Sequence, residues 1–261
     1  MYTKEESKAQ LRDMGITPSD TVVIHTSMKA IGQAQGGAEG VIDTFCEYLC
    51  DGLFLVPTHT WENVTEETPW FDVRSTVPNI GLIPCTAAFR KDGIRSLHPT
   101  HSLWAHGKGA ENFVRLDDAS YSPGTPGGCW ATLADMHAKI LLIGVKNDKN
   151  TFIHSIDERA KLPDRISPEH FDAQVTDYDG NTRVVPMHIH KCSKTEDISL
   201  FYGNFEKPMV ELGIQTFGQF GDAQVRIVDS MGCRELVMEI YRRATEDIFA
   251  QHITLPESLY K

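Results

Sequence analysis

The feature that most constrains the fold is the run Lys139-Ile-Leu-Leu-Ile-Gly-Val145. It is too short for a buried helix, and its apolar residues do not alternate with polar ones. A run of this kind reads as a strand covered on both faces. Two shorter runs repeat the pattern: Thr-Val-Val-Ile-His at 21–25 and Leu-Phe-Leu-Val-Pro at 53–57. Between the strands lie segments at helical spacing. Lys4 to Met14 is one. Another follows Gly36 and Gly37, where Val41, Phe45 and Leu49 share a face. Short apolar strands bracketed by helices predict an α/β fold with a mixed, partly parallel central sheet flanked by helices. After residue 170 the texture changes. Asp-Tyr-Asp-Gly-Asn-Thr places an Asp-Gly turn between two alternating runs, which predicts an antiparallel hairpin. Phe205 to Ile214 reads as a short helix, Ala223 to Ser230 as a strand, and Cys233 to Gln251 as a long amphipathic helix.

Composition narrows the function classes. The 261 residues carry no repeat, low-complexity tract or linker, so one domain over 1–261 is expected. No run approaches 18 apolar residues, which argues against a membrane span. The N-terminus is charged and lacks the apolar core of a signal peptide, so a cytoplasmic location is expected. In that setting the six cysteines, none in a CxxC pair, read as reduced thiols, mostly buried. Acids outnumber bases 36 to 25, a formal charge of −11. That disfavours a nucleic-acid binder, which needs a basic face, and is compatible with a cationic substrate.

Four stretches carry chemistry. In Gly-Val-Lys-Asn-Asp-Lys-Asn-Thr-Phe-Ile-His-Ser-Ile-Asp-Glu, a strand ends at Val145 and a helix starts near Asn150 or Thr151, either of which suits an N-cap. Phe152, Ile153, Ile156 and Ala160 would face the core. Asp157 and Glu158 stand three and four residues after His154, so either carboxylate can share its face. An acid-held imidazole keeps the tautomer a general base needs. Spacing alone favours a surface helix with a solvated His/acid pair. In the second stretch, His25 to Gly32, a strand end opens into a polar, glycine-bearing loop whose N–H groups could hold an anion. It matches neither the Walker loop nor GxGxxG. In the third, His98, His101 and His106 crowd nine residues without the spacing of a zinc site. In the fourth, His188, His190 and Cys192 read as an exposed strand face in preference to a metal-binding edge. GxSxG is absent, which argues against a serine hydrolase of the usual α/β type.

Taken in order, the motifs resemble the aminoglycoside 3-N-acetyltransferase (antibiotic N-acetyltransferase) family, whose α/β fold differs from the common GNAT acetyltransferase fold. The blocks that resemble it are His25-Thr-Ser-Met with the Gly36-Gly37 pair, Gly52 to Trp61, Phe71 to Lys91, the His98-Pro-Thr-His-Ser signature, the Ser122-Pro-Gly turn with Thr125 in a serine position, and Leu141 to Glu158. The later segments 205–214 and 223–230 are similar to weaker blocks. The resemblance implies an enzyme of antibiotic modification that uses acetyl-CoA as cosubstrate, requires no metal, binds neither nucleic acid nor membrane, and works as a monomer or homodimer. It implies His154 as general base with Asp157 as its acid, Glu158 as the alternative, and Thr151 beside them. It implies a coenzyme A channel along His25, Thr26, Ser27, Met28, Ile31 and Gly32 with Thr100 and Ser102, and acceptor contacts at Asp148, Asn147 and Asp72, helped by Glu62.

The chain departs from that pattern at Ala87, where a Glu is frequent, and at Lys146-Asn147, with Lys149 adding a second cation. Two lysines near the base repel a polycation. The acceptor is therefore expected to be an aminoglycoside 3-amino group or, alternatively, another amine such as an amino sugar, a nucleoside or an anionic metabolite. Two other classes are kept: a metal-dependent hydrolase built on His59, His98 and His101, and a binding protein that kept the fold without catalysis.

Overall fold

The computed structural model describes residues 1–244 and 250–261. In chain order the helices are α1 Lys4–Asp13, α2 Met28–Ile31, α3 Gly37–Tyr48, α4 Leu82–Ala87, α5 Ala110–Val114, α6 Cys129–Thr132, α7 Phe152–Arg159, α8 Glu206–Glu211 and α9 Ser230–Arg243. The strands are β1 Thr21–Thr26, β2 Leu53–Pro57, β3 Trp70–Asp72, β4 Ile94–Arg95, β5 Leu103–Gly107, β6 Lys139–Ile143, β7 Phe171–Thr176, β8 Thr182–Met187, β9 Gln215–Phe220 and β10 Ala223–Asp229.

Seven strands form the main sheet in the order β4-β5-β2-β1-β6-β10-β9. The three runs read as doubly covered strands occupy its centre and pair in parallel, β2 with β1 and β1 with β6. Antiparallel strands extend the sheet on both sides. Successive residues of a strand face opposite sides, and here both sides are apolar core. Val23, Leu55, Ile140 and Leu142 enter one cluster with α6, α7 and α9. Val22, Ile24, Phe54, Leu141 and Ile143 enter the other with α3 and α4. Val41 and Phe45 on the face of α3, and Leu49 at its C-cap, are at most 1% exposed.

A smaller sheet, β3-β7-β8, contains the hairpin expected from the Asp-Gly signal, with Thr176 paired to Thr182 across the turn. The C-terminal helix stops earlier than its sequence pattern suggests. It ends at Arg243, Ala244 is extended, and residues 250–251 form a bend. The stretch 245–249 of that expected helix lies outside the described residues. All six cysteines are free, but only Cys129 and Cys233 are buried and Cys50 is exposed. Among the described residues no helix is long and apolar enough to cross a membrane.

Candidate active site

The carboxyl ends of β1, β2 and β6 converge on one cavity of about 550 Å³, the location where open α/β sheets bind ligands. His25 and Thr26 come from the end of β1, and Pro57, His59 and Trp61 from the end of β2 and beyond. Thr100 and His101 come from the segment before β5. Val145, Asp148, Lys149, Thr151 and His154 come from the loop after β6 and the start of α7. Ile189 to Cys192 and Glu196 to Ser199 complete the wall.

Helix α7 forms because Phe152, Ile153 and Ile156, all at most 1% exposed, lie on its core face. Thr151 occupies its N-cap but in helical geometry, with no side-chain cap bond. The turn before α6 must approach α7 closely. A side chain at Gly124 would place a Cβ 2.5 Å from the Ser155 Cα, so only glycine fits. That approach lets the Gly124 N–H donate to Glu158 Oε1 at 2.5 Å, and the Ser122 hydroxyl donates to Glu158 Oε2 at 2.5 Å.

His154 is the hub. Its Nδ1 lies 2.6 Å from the Tyr202 hydroxyl and also contacts His190 Nδ1. Tyr202 donates its proton to Asp157 Oδ2 at 2.6 Å, and Tyr241 donates to Oδ1 of the same carboxylate at 2.5 Å. Asp157 is fully buried and does not bond His154 directly; the Tyr202 hydroxyl stands between them. The guanidinium of buried Arg165 is 4.0 Å from Asp157. On the other side His190 Nε2 lies 2.8 Å from Glu158 Oε1. Spacing left either acid open as the partner of His154. Both reach it, each through an intermediary.

The single Tyr202 proton is given to Asp157, so its oxygen accepts from His154, and Nδ1 of His154 carries the hydrogen. Nε2 of His154 then holds the lone pair. The hydrogen bonds of the ring among the described residues are all made by Nδ1, and His154 lines the cavity.

Burial, reinforced by His190, His59 and Arg165, holds the His154 pKa well below the usual imidazole value. The ring is therefore neutral at pH 7 and able to accept a proton. Burial pushes the Asp157 carboxyl up, while the bonds from Tyr202 and Tyr241 and the charge of Arg165 pull it back. Burial together with the Asp157 charge keeps the Tyr202 phenol well above 10, so it stays a proton donor.

The opposite wall is also made of histidine. Burial drives His25 down to about 3, and His59 and His101 well below the normal range. These rings are neutral. Nε2 of His25 and of His59 is buried without a protein partner among the described residues. Beneath this wall lies Arg95, 1% exposed, with no carboxylate bonded to it among the described residues. It donates to the Thr58 and Ser102 hydroxyls and to the Thr58 and Thr76 carbonyls, and it packs over Phe71. It ties the end of β2 to the start of β5.

Of the residues singled out in the sequence, the structure gathers His25, Thr26, Thr100, Asp148, Thr151 and His154 around the cavity. It places the others elsewhere. Ser27 caps α2, Ile31 is core, Met28 packs on that core, and Gly32 sits against Asp222, so none of the four lines the cavity. Ser102 faces Thr58 and Arg95. Asn147 is fully buried against Glu206 and Gln215. Asp72 is held by Arg74 and bears on no cavity wall. Glu62 is exposed and lies outside the lining. The expectation of an exposed face at 188–192 fails for His190, whose ring turns inward onto His154 and Glu158. His98 has both ring nitrogens engaged, by the Ser122 carbonyl and the Thr100 and His101 amides. The grouping of His59, His98 and His101 does not reach metal-ligand spacing. Among the described residues that spacing is met only by Cys46, Asp92 and His106, outside the cavity.

Sequence reasoning missed His190 and Tyr202 as partners of the base. They lie 36 and 48 residues from it in the chain. The one available signal was the clustering of His188, His190 and Cys192.

A mixed sheet with a histidine-lined cavity at the carboxyl edge of its parallel centre defines the class as an α/β fold with a ligand site at its strand ends. Comparison makes this specific. The family model of aminoglycoside 3-N-acetyltransferase matches residues 23–242, and the chain belongs to that family. It is 29% identical over 163 residues to aminoglycoside N(3)-acetyltransferase IV of Salmonella sp., covering 62% of this chain and 61% of that one. It is 27% identical over 182 residues to aminoglycoside N(3)-acetyltransferase III of Serratia marcescens, covering 63% and 67%. The sequence match thus spans about three fifths to two thirds of these relatives' length. Among solved structures, the fold matches the apoenzyme of aminoglycoside acetyltransferase AAC(3)-IVa with a TM-score of 0.76 at 23% identity, covering 98% of this chain and 93% of that one. It matches AAC-IIIb in binary complex with CoASH at 0.75 and 21%, covering 90% and 94%.

Proposed function

We propose that this chain transfers an acetyl group from acetyl-CoA to an amine, with an aminoglycoside amino group as the acceptor. The observation that carries the reading is that His154 lines the cavity with its Nδ1 backed by two carboxylates, Asp157 through Tyr202 and Glu158 through His190, which leaves Nε2 as the atom to serve as base. Family membership supports the reaction class. So do relatives named as aminoglycoside N(3)-acetyltransferases, one neighbour bound to CoASH and another bound to sisomicin.

The residues present suit the chemistry. An amine is mostly protonated at neutral pH and must lose a proton to attack a thioester; the free molecule binds as amine, and His154 Nε2 takes the remaining N–H as the carbon–nitrogen bond forms. The imidazolium so produced is stabilised by Asp157 through Tyr202 and by Glu158 through His190. The thioester is already activated, so positioning and proton removal suffice. Charge developing on the carbonyl oxygen needs donors, and the Thr151 hydroxyl and the neutral imidazoles of the opposite wall border the space where it would form. Asp148, Glu196 and Asp197 offer carboxylates to a cationic acceptor. A second reading, in which the acceptor carries an anionic group, has one observation behind it: Lys149 and Lys191 line the same cavity.

A thiol-release assay with acetyl-CoA against aminoglycosides, amino sugars and anionic amines tests both readings, with CoA binding measured by calorimetry alongside. Turnover with aminoglycosides supports the first. Turnover confined to anionic amines transfers the acceptor to the second. Absence of CoA binding would sink the donor and with it the proposal.

A further inference from the structure

The bond pattern around His154 goes further than a positioned base. Its Nδ1–H faces two acceptors, the Tyr202 oxygen and His190 Nδ1. Each is an acceptor because its own hydrogen is committed to a carboxylate, Tyr202 to Asp157 and His190 Nε2–H to Glu158. The two branches differ in what they can do with a proton. A phenol oxygen that already donates cannot hold a second proton at accessible cost. An imidazole gains one at one nitrogen and releases another from the second. Glu158, at the end of the imidazole branch, is fixed by Ser122 and Gly124. The backbone around His190 is pinned as well. Ile166 and His190 form an isolated bridge, and the Lys191 N–H donates to the Arg165 carbonyl. The ring thus spans a fixed gap between His154 and Glu158.

We infer that His190 is a relay residue that carries the substrate's proton from His154 to Glu158. The inference rests on His154 acting as the base. The amine nitrogen bonds to the thioester carbon while its N–H passes to His154 Nε2. The Nδ1–H of His154 passes to His190 Nδ1, and the Nε2–H of His190 passes to Glu158 Oε1. The carbon–sulfur bond breaks, and the coenzyme A thiolate leaves and takes a proton from solvent. Glu158 returns its proton to solvent, and the two rings reset. Tyr202 holds the tautomer of His154, and His190 moves the proton.

Two measurements test this. Nitrogen-15 spectra of the resting protein need no turnover. They should place hydrogen on Nδ1 of His154 and on Nε2 of His190; the reverse tautomer at either ring overturns the relay even if the enzyme is active. Kinetics then separate moving a proton from holding a ring. In His190→Gln the side-chain amide still accepts from His154 and donates to Glu158 but cannot pass a proton on. The relay predicts a kcat roughly 100-fold lower, both KM values within about twofold of the parent, and a solvent-isotope proton inventory that changes from curved to linear. His190→Ala should lose as much kcat and regain part of it with added imidazole. A His190→Gln enzyme with parental kcat overturns the relay and leaves His190 a positioning residue. A His154→Ala enzyme with parental kcat would instead refute the base assignment.

Discussion

The two walls of the cavity are built from the same side chain and differ in what holds it. On the β1–β2 wall, His25 and His59 are buried, each with an Nε2 atom that has no protein partner among the described residues, and His101 is half-buried beside them. On the α7 wall, burial also lowers the pKa of His154, but its Nδ1 meets a tyrosine and a histidine that each lead to a carboxylate. Burial alone fixes the charge of an imidazole: both walls are neutral at pH 7. Only hydrogen bonds fix which nitrogen bears the proton. The first wall is a neutral, adaptable lining. The second presents one lone pair in one direction.

The largest expected effect comes from breaking the supported wall at its root. Asp157→Ala takes from the Tyr202 and Tyr241 hydroxyls the carboxylate they donate to, and from Arg165 its nearby acid, and should cost about 3–5 kcal/mol in urea unfolding. Tyr202→Phe is milder. It removes one of the two acceptors on Nδ1, should lower kcat about tenfold, and should leave KM near the parental value. The opposite wall is tested by acid. Its histidines bind protons in the unfolded chain below about pH 6.5 but not in the folded protein, so they leave stability unaffected above that value. Stability falls as pH drops from about 6.5 toward about 3, the value for His25. Each such group contributes at most about 1.4 kcal/mol per pH unit. Unfolding at pH 7.5 and pH 5 should show this loss, and His25→Gln should reduce it. The smallest effect belongs to Asp72→Asn, which loosens a half-exposed pair with Arg74. It should change stability by less than about 1 kcal/mol and leave kcat and KM unchanged.

What could be read from the sequence follows the range of the interaction. β1, β2 and β6 were visible because doubly covered strands are apolar in every position. α3 and α7 showed their core faces, and the 171–187 hairpin showed its Asp-Gly turn. Each is a local signal. The start of the site was local too: a strand end, a helix start and a histidine three residues before an acid. The rest depended on chain reversals that no window captures. Asp157 shares the helical face of His154 as its spacing suggests, yet Tyr202 and Tyr241, 45 and 84 residues later, occupy its oxygens. Ser27 to Gly32 looked like an anion loop because capping, core and turn residues share a composition with one. His190 looked like surface because period-two reasoning assumes the strand continues, and β8 ends at Met187.

The most direct test of the central claim, that His154 supplies the base, is kcat/KM for acetyl transfer to an aminoglycoside in the parent and in His154→Ala, with CoA affinity measured on both. The account predicts a loss of roughly 10²- to 10⁴-fold in the variant with CoA affinity retained. A variant that binds CoA normally and turns over at the parental rate would contradict it.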